Sequence, residues 1–183
     1  MNKTIYLTLF LIIPLTSFGQ LAESLKKMQN DKNIEFKKYE PLLFKATSYI
    51  FNNPANPRST EFIAAAKIVS FWMNKDIGMG IPLGGEFYKS LTNKQNQQFL
   101  YTVAMINYGL DQKVNKNRIL KCLPIEGKKY SEQEDVKEVQ LGGAKILLEY
   151  IGNRKNNIPM NSKTKKYYKA YKKGNLKEKL KQK

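Results

Sequence analysis

The acidic side chains are the first place to look for chemistry in this sequence. The chain of 183 residues holds fifteen Asp and Glu, one Cys and no His. Without histidine, Ser-His-Asp and Cys-His nucleophilic catalysis, His-containing zinc sites and imidazole acid–base work are excluded. The densest acidic group is Glu132, Glu134, Asp135 and Glu138. It follows Ser131 at the start of an apolar-periodic stretch, where acids favour the positive end of a helix dipole. That reading outweighs a metal or catalytic site. Asp76 and Glu86 bracket DIGMGIPLGG, which carries Gly78, Gly80, Gly84 and Gly85. The spacing fits neither G-x-G-x-x-G nor a Walker A loop, and no Lys-Ser/Thr pair follows. A cleft between Asp76 and Glu86 is the one arrangement that would support a carboxylate enzyme, and nothing pairs them in the sequence. Glu40, Glu61 and Asp111 are isolated, and there is no EF-hand loop. No catalytic, cofactor-binding or metal-ligating residue is assigned, and no cofactor is expected. Cys122 reads as a small buried hydrophobe; a reactive thiol or intermolecular disulfide is the sharper alternative. A single cysteine allows no internal disulfide.

The feature with directional physics is the basic end. The formal net charge is +17, and residues 155–183 supply +10 of it, with eleven lysines against one glutamate. Lysines at this density bind polyanions by releasing counterions, and they steer encounter. The candidate polyanion-binding residues are Lys165, Lys166, Tyr167, Tyr168, Lys169, Tyr171, Lys172 and Lys173. The three tyrosines interleave with lysines, where rings can stack on bases or sit at a membrane interface. The competing reading is a solvated, partly disordered tail that keeps the chain soluble.

The other end gives an address. Asn2-Lys3 is a short positive start, Ile5 to Leu15 an apolar run, and Thr16-Ser17-Phe18-Gly19 a polar, small-residue close. This is the pattern of a secretory signal peptide, too short and wrongly flanked for a spanning helix. Cleavage is expected after Gly19, leaving Gln20 first. The ending resembles exported proteins of some Gram-negative bacteria, in which glutamine often follows the cut. The resemblance covers about the first twenty residues and implies a periplasmic or secreted protein. No other stretch reaches spanning length.

Helical periodicity fills the rest. Leu21, Leu25 and Met28 share a face of a short helix, and a second helix begins near Phe36 or at Pro41 and runs to Asn52. Asn53-Pro54 and Asn56-Pro57 turn the chain into Ser59–Asn74, which carries the only tryptophan. On a wheel its polar strip is thin, so this helix is expected at the centre of the fold with Trp72 as a core aromatic rather than a ligand platform. Phe99, Val103, Ile106 and Leu110 mark a helix over Lys94–Gln112, expected to pack against the central one. Asn115 to Leu123 is ambiguous between a short helix and a strand. Ser131 is expected to cap a long helix to about Asn153, with Glu134 completing a capping box. Gly142-Gly143 lies inside that helix; Gly143 is on its apolar side and predicts close approach of another helix.

These elements predict an all-α fold, a small bundle of about five to six helices with a basic C-terminal tail. The expected organisation is a secretory signal over residues 1–19, a helical domain over 20–154, and a Lys-rich tail, helical or disordered, over 155–183. The functional expectation is an exported, non-enzymatic binding or interaction protein of the cell envelope. Its tail would meet an anionic envelope surface or a protein partner, with nucleic acid disfavoured after export. The alternatives are a structural accessory subunit of an envelope assembly and a carboxylate-dependent enzyme near Gly78–Gly85.

Overall fold

A computed structural model describes residues 19–181. The expected signal segment, residues 1–19, lies outside them apart from Gly19. The described chain is all-helical. Its eight α-helices are α1 (Gln20–Asn30), α2 (Phe36–Asn52), α3 (Thr60–Met73), α4 (Gly85–Ser90), α5 (Gln97–Lys116), α6 (Glu134–Gly152), α7 (Ser162–Lys172) and α8 (Leu176–Lys181). Six of them are seven residues or longer. The small helical bundle read from periodicity is what forms.

The helices stack in a relay. α1 rests on α3, α3 on α2, α2 on α5, and α5 on α6; α6 then receives α7 and α8, and α4 closes against α7. One continuous apolar core runs through them, from Leu21 in α1 to Tyr167 in α7 and Leu176 in α8. The expected pairing of α3 with α5 is not among the principal helix contacts. α3 packs against α1 and α2, and α5 packs against α6 and α2. A wheel identifies an apolar face but not its partner, and the glycines of α6 decide the matter. A Cβ at Gly143 would come within 2.6 Å of the Met105 side chain and 3.0 Å of its backbone nitrogen. At Gly142 it would meet the Tyr108 ring at 2.4 Å. Both neighbours belong to α5, so the close approach expected at Gly143 is made there. On its other side α5 reaches α2 through Asn107, whose amide donates to Thr47 Oγ1 (3.1 Å) and Ser48 Oγ (3.0 Å).

α3 is capped by Ser59, whose Oγ accepts from Phe62 N–H at 3.4 Å. Its buried face is Glu61, Ala64, Ala65, Ile68, Val69 and Trp72. Ile63 is exposed, and Glu61 faces inward. The Glu61 carboxylate accepts from Leu21 N–H (2.9 Å) and Ala22 N–H (3.0 Å). An acid on α3 therefore caps α1, satisfying two of the amide groups that a helix start leaves unpaired. Trp72 is 2% exposed and lies edge-on to Phe36 and Phe71, with ring centroids 5.3 and 5.2 Å away. It is a core aromatic, and its contact with Phe36 ties the first turn of α2 to α3. α2 starts at Phe36, with Pro41 inside the helix.

The start of α6 also differs from expectation. A 3-10 turn, Tyr130–Glu132, precedes a helix that begins at Glu134, with Gln133 at the cap position and no side-chain cap. The residues flanking the expected cap are engaged with the preceding loop. Tyr130 O–H donates to the Cys122 carbonyl (2.9 Å), and Asp135 accepts from Cys122 N–H (2.7 Å). The ambiguous stretch after Lys116 is neither helix nor strand but extended loop.

Replacing Trp72 by alanine is expected to cost about 3–5 kcal/mol, the usual range for emptying a large aromatic site, read from chemical denaturation. Glu61→Ala strands two amide donors at the α1 start. It is expected to cost about 1–3 kcal/mol, with hydrogen exchange in α1 accelerated before the rest of the molecule.

Candidate polyanion-contacting surface

The basic stretch is helical and seated on the body. Asn161 caps α7, its Oδ1 accepting from Thr164 N–H at 2.9 Å. Its amide nitrogen donates to the Ser90 carbonyl (2.7 Å), and Thr164 Oγ1 donates to that same carbonyl (2.8 Å). The end of α4 thus grips the start of α7. The preceding connector is held by two more buried amides. Asn156 donates to the Tyr150 carbonyl (2.7 Å) and accepts from Ala55 N–H (3.1 Å). Gln97 donates to the Pro159 carbonyl at 2.7 Å.

One face of α7 is spent on packing. Tyr167 is 8% exposed and meets the Phe87 ring edge-on at 5.0 Å. Tyr168 lies where a Cβ at Gly152 would stand, 2.3 Å from its ring. Tyr171 O–H reaches Glu149 at 3.5 Å. Of the candidate residues, then, Tyr167 is occupied, and Tyr168 and Tyr171 are half-buried against α6. Lys165, Lys166, Lys169, Lys172 and Lys173 are all exposed. At about 100° per residue they fall within one outward stripe of roughly 120°. Among the described residues, none of the five forms an ion pair with a carboxylate. Thr164, Tyr167, Tyr168 and Tyr171 stand at i, i+3, i+4 and i+7, the spacing of a docked face. That signal is present in the sequence beneath the lysine composition.

The acids have structural partners. Glu138 forms a two-pronged pair with Arg118 (2.9 and 3.0 Å) and accepts from Tyr108 O–H (3.0 Å). The guanidinium bond holds the Glu138 carboxyl below its usual range. Burial first, and the bond to Glu138 second, push the Tyr108 phenol up to about 12. Glu134 pairs with Lys137, Glu132 with Lys129, and Glu86 with Lys89. Asp76 accepts from Gly78 N–H (2.8 Å) and closes its own turn. Asp31 accepts from Lys38 and Tyr39 O–H, both at 2.5 Å, which holds its carboxyl down at about 2. Among the described residues, no group of three His, Cys, Asp or Glu is placed to hold a metal ion.

The glycine loop serves close packing. Gly80 N–H donates to the Lys121 carbonyl (2.7 Å), and a Cβ there would stand 2.2 Å from the Cys122 carbonyl oxygen. The Pro82 carbonyl accepts from Gln140 (3.0 Å). Two open grooves lie elsewhere. One is lined by Ile151–Arg154 and Asn157–Pro159, the other by residues of the α1–α2 corner around Asp31. Set against known protein families, curated proteins and solved structures, the chain matches none.

Cys122 is 1% exposed, and burial pushes its thiol up to about 12, with Asp135 and Glu138 adding to the shift. The folded chain is therefore expected to react with iodoacetamide at pH 8 far more slowly than free cysteine, because the thiolate is the reacting form. Adding denaturant should restore the ordinary rate.

Proposed function

We propose that this is an exported, non-enzymatic interaction protein of the cell envelope, which meets an anionic polymer or surface through the outward lysines of α7. The observation that carries the reading is the seating of α7. Its tyrosine face is packed on α4 and α6, so Lys165, Lys166, Lys169, Lys172 and Lys173 project from a backbone that is already ordered. A fixed array loses less backbone freedom on binding than a disordered tail of the same composition. The carboxylates nearest the body are paired or hydrogen-bonded, which leaves the lysine stripe uncompensated. Export rests on the first nineteen residues.

Truncation is a poor test, because removing α7 would uncover Phe87 and Gly152. Charge removal is better. The chain starting at Gln20 is bound to heparin as a model polyanion across a salt series, beside the variant with all five lysines changed to glutamine. The parent is expected to weaken steeply with salt. The variant should bind weakly, with a log–log salt slope shallower by up to about four, close to one per lost contact. An unchanged slope would remove the reading.

A further inference from the structure

A second surface is conspicuous for apolar side chains that stay in water. Ile119 is 63% exposed, Ile125 54%, Leu123 53%, Leu83 53% and Val114 51%. Among the described residues they are the five most exposed large hydrophobic residues, ahead of Ile63 at 40%. They lie on two segments that touch. Leu83 follows Gly80, which bonds the Lys121 carbonyl, and the other four lie between the end of α5 and the turn at Gly127.

The segment is held in place from beneath. Leu120 and Cys122 are buried while Ile119, Lys121 and Leu123 face outward, and the backbone turns through a left-handed conformation at Cys122. Asp135 takes the Cys122 amide, and Tyr130 takes its carbonyl. The buried Gln133 carboxamide, turned to satisfy both its atoms, donates to the Leu123 carbonyl (2.8 Å) and accepts from Ile125 N–H (3.1 Å). Arg118 is fixed by Gln112 and Glu138. With both backbone groups occupied on the inner side, the aliphatic side chains have no route into the core.

The surroundings are basic. Residues 113–129 carry six Lys and Arg against one acid, Glu126. Lys113, Lys116, Arg118 and Lys129 pair with Glu40, Asp111, Glu138 and Glu132, while Lys121 and Lys128 are exposed and form no ion pair among the described residues.

We infer that Leu83, Ile119, Leu123 and Ile125 form a tip that enters the interfacial region of an anionic phospholipid bilayer, with Lys121 and Lys128 against the headgroups. The charge in this inference rests on the polyanion reading, and it names lipid as the anion. A second copy is disfavoured as occupant, because a chain of net charge +17 would bring two basic surfaces together. A folded protein partner would need a concave counterpart for side chains that stand out singly. A bilayer is soft and accepts protruding aliphatic groups without shape matching. Weak apolar insertion and a basic rim together give a stable membrane contact where either alone is marginal. Among the described residues no helix is long and apolar enough to cross a membrane, so the contact is peripheral.

The test uses the chain starting at Gln20, with phosphatidylcholine vesicles containing or lacking phosphatidylglycerol. The triple variant Ile119→Asn, Leu123→Asn, Ile125→Asn leaves the charge unchanged and alters only exposed side chains; the emission of Trp72 reports that it folds. The expected result is about tenfold or greater loss of binding to the anionic vesicles, with heparin binding intact. The Leu123→Trp variant should gain an emission that shifts to the blue on anionic vesicles and is quenched by lipids brominated along the acyl chain. Equal vesicle binding by parent and triple variant overturns the inference, as does an added emission in Leu123→Trp that stays open to aqueous iodide on bound vesicles. So does a parent dimer that the triple variant converts to monomer, which would assign the tip to a second copy. Failure of the polyanion reading is separate, since it appears as heparin binding that survives loss of the α7 lysines.

Discussion

The contact between α5 and α6 is the constraint on which the other placements depend. Gly142 and Gly143 let α6 come so close that the Met105 backbone and the Tyr108 ring occupy the space side chains would take. Each glycine costs about 1 kcal/mol relative to alanine inside a helix. What it gains is proximity: Val139, Ala144 and Leu147 of α6 are buried with no exposed surface, as are Val103, Ala104 and Ile106 of α5. Once α6 is fixed against α5, both its ends become platforms. Its first turns hold the Cys122 loop through Asp135 and Arg118 through Glu138. Its last turn, at Gly152, admits the Tyr168 ring. The hydrophobic tip and the basic helix are thus positioned by opposite ends of one helix.

Much of this was legible from periodicity. α1 buries the expected Leu21, Leu25 and Met28, and Gly143 meets a helix as its place on the wheel implied. Partners were not legible. A helical wheel for α3 assigns an apolar face without saying whether α2 or α5 will cover it. The burial of Glu61 was missed for a related reason. Wheel reasoning sends an acid to solvent or to its own helix dipole, whereas here the partners are amides forty residues earlier in the chain. Ser131 matched a local capping pattern, but Tyr130 and Gln133 on either side of it are engaged with the 122–125 loop, so the helix begins later.

The basic stretch shows how composition can mask pattern. Eleven lysines in residues 155–183 read as a solvated tail. The spacing of Thr164, Tyr167, Tyr168 and Tyr171 carries a docked face all the same, and the connector ahead of α7 carries Asn156 and Asn161 as staples. These amides replace water on backbone groups that would otherwise be buried unpaired, which is the condition for a loop to lie inside a fold. The apolar tip was harder to see, because Ile119, Leu123 and Ile125 are unremarkable in sequence. Their exposure follows from long-range bonds to Asp135, Tyr130 and Gln133.

A net charge of +17 would ordinarily work against a compact state through self-repulsion. Here acids and bases are distributed differently. Glu61 is buried and Asp31, Asp135 and Glu138 are half-buried, each accepting from amide, phenol or guanidinium donors. Each organises a helix start or a loop. The lysines, with long flexible stems and strongly hydrated heads, remain outside. Internal carboxylates thus satisfy the polar groups of the scaffold, and the surface is left with excess positive charge. The same division runs through the acid-rich start of α6, where Asp135 holds the Cys122 amide and Glu138 holds Arg118, while Glu132 and Glu134 pair at the surface with Lys129 and Lys137.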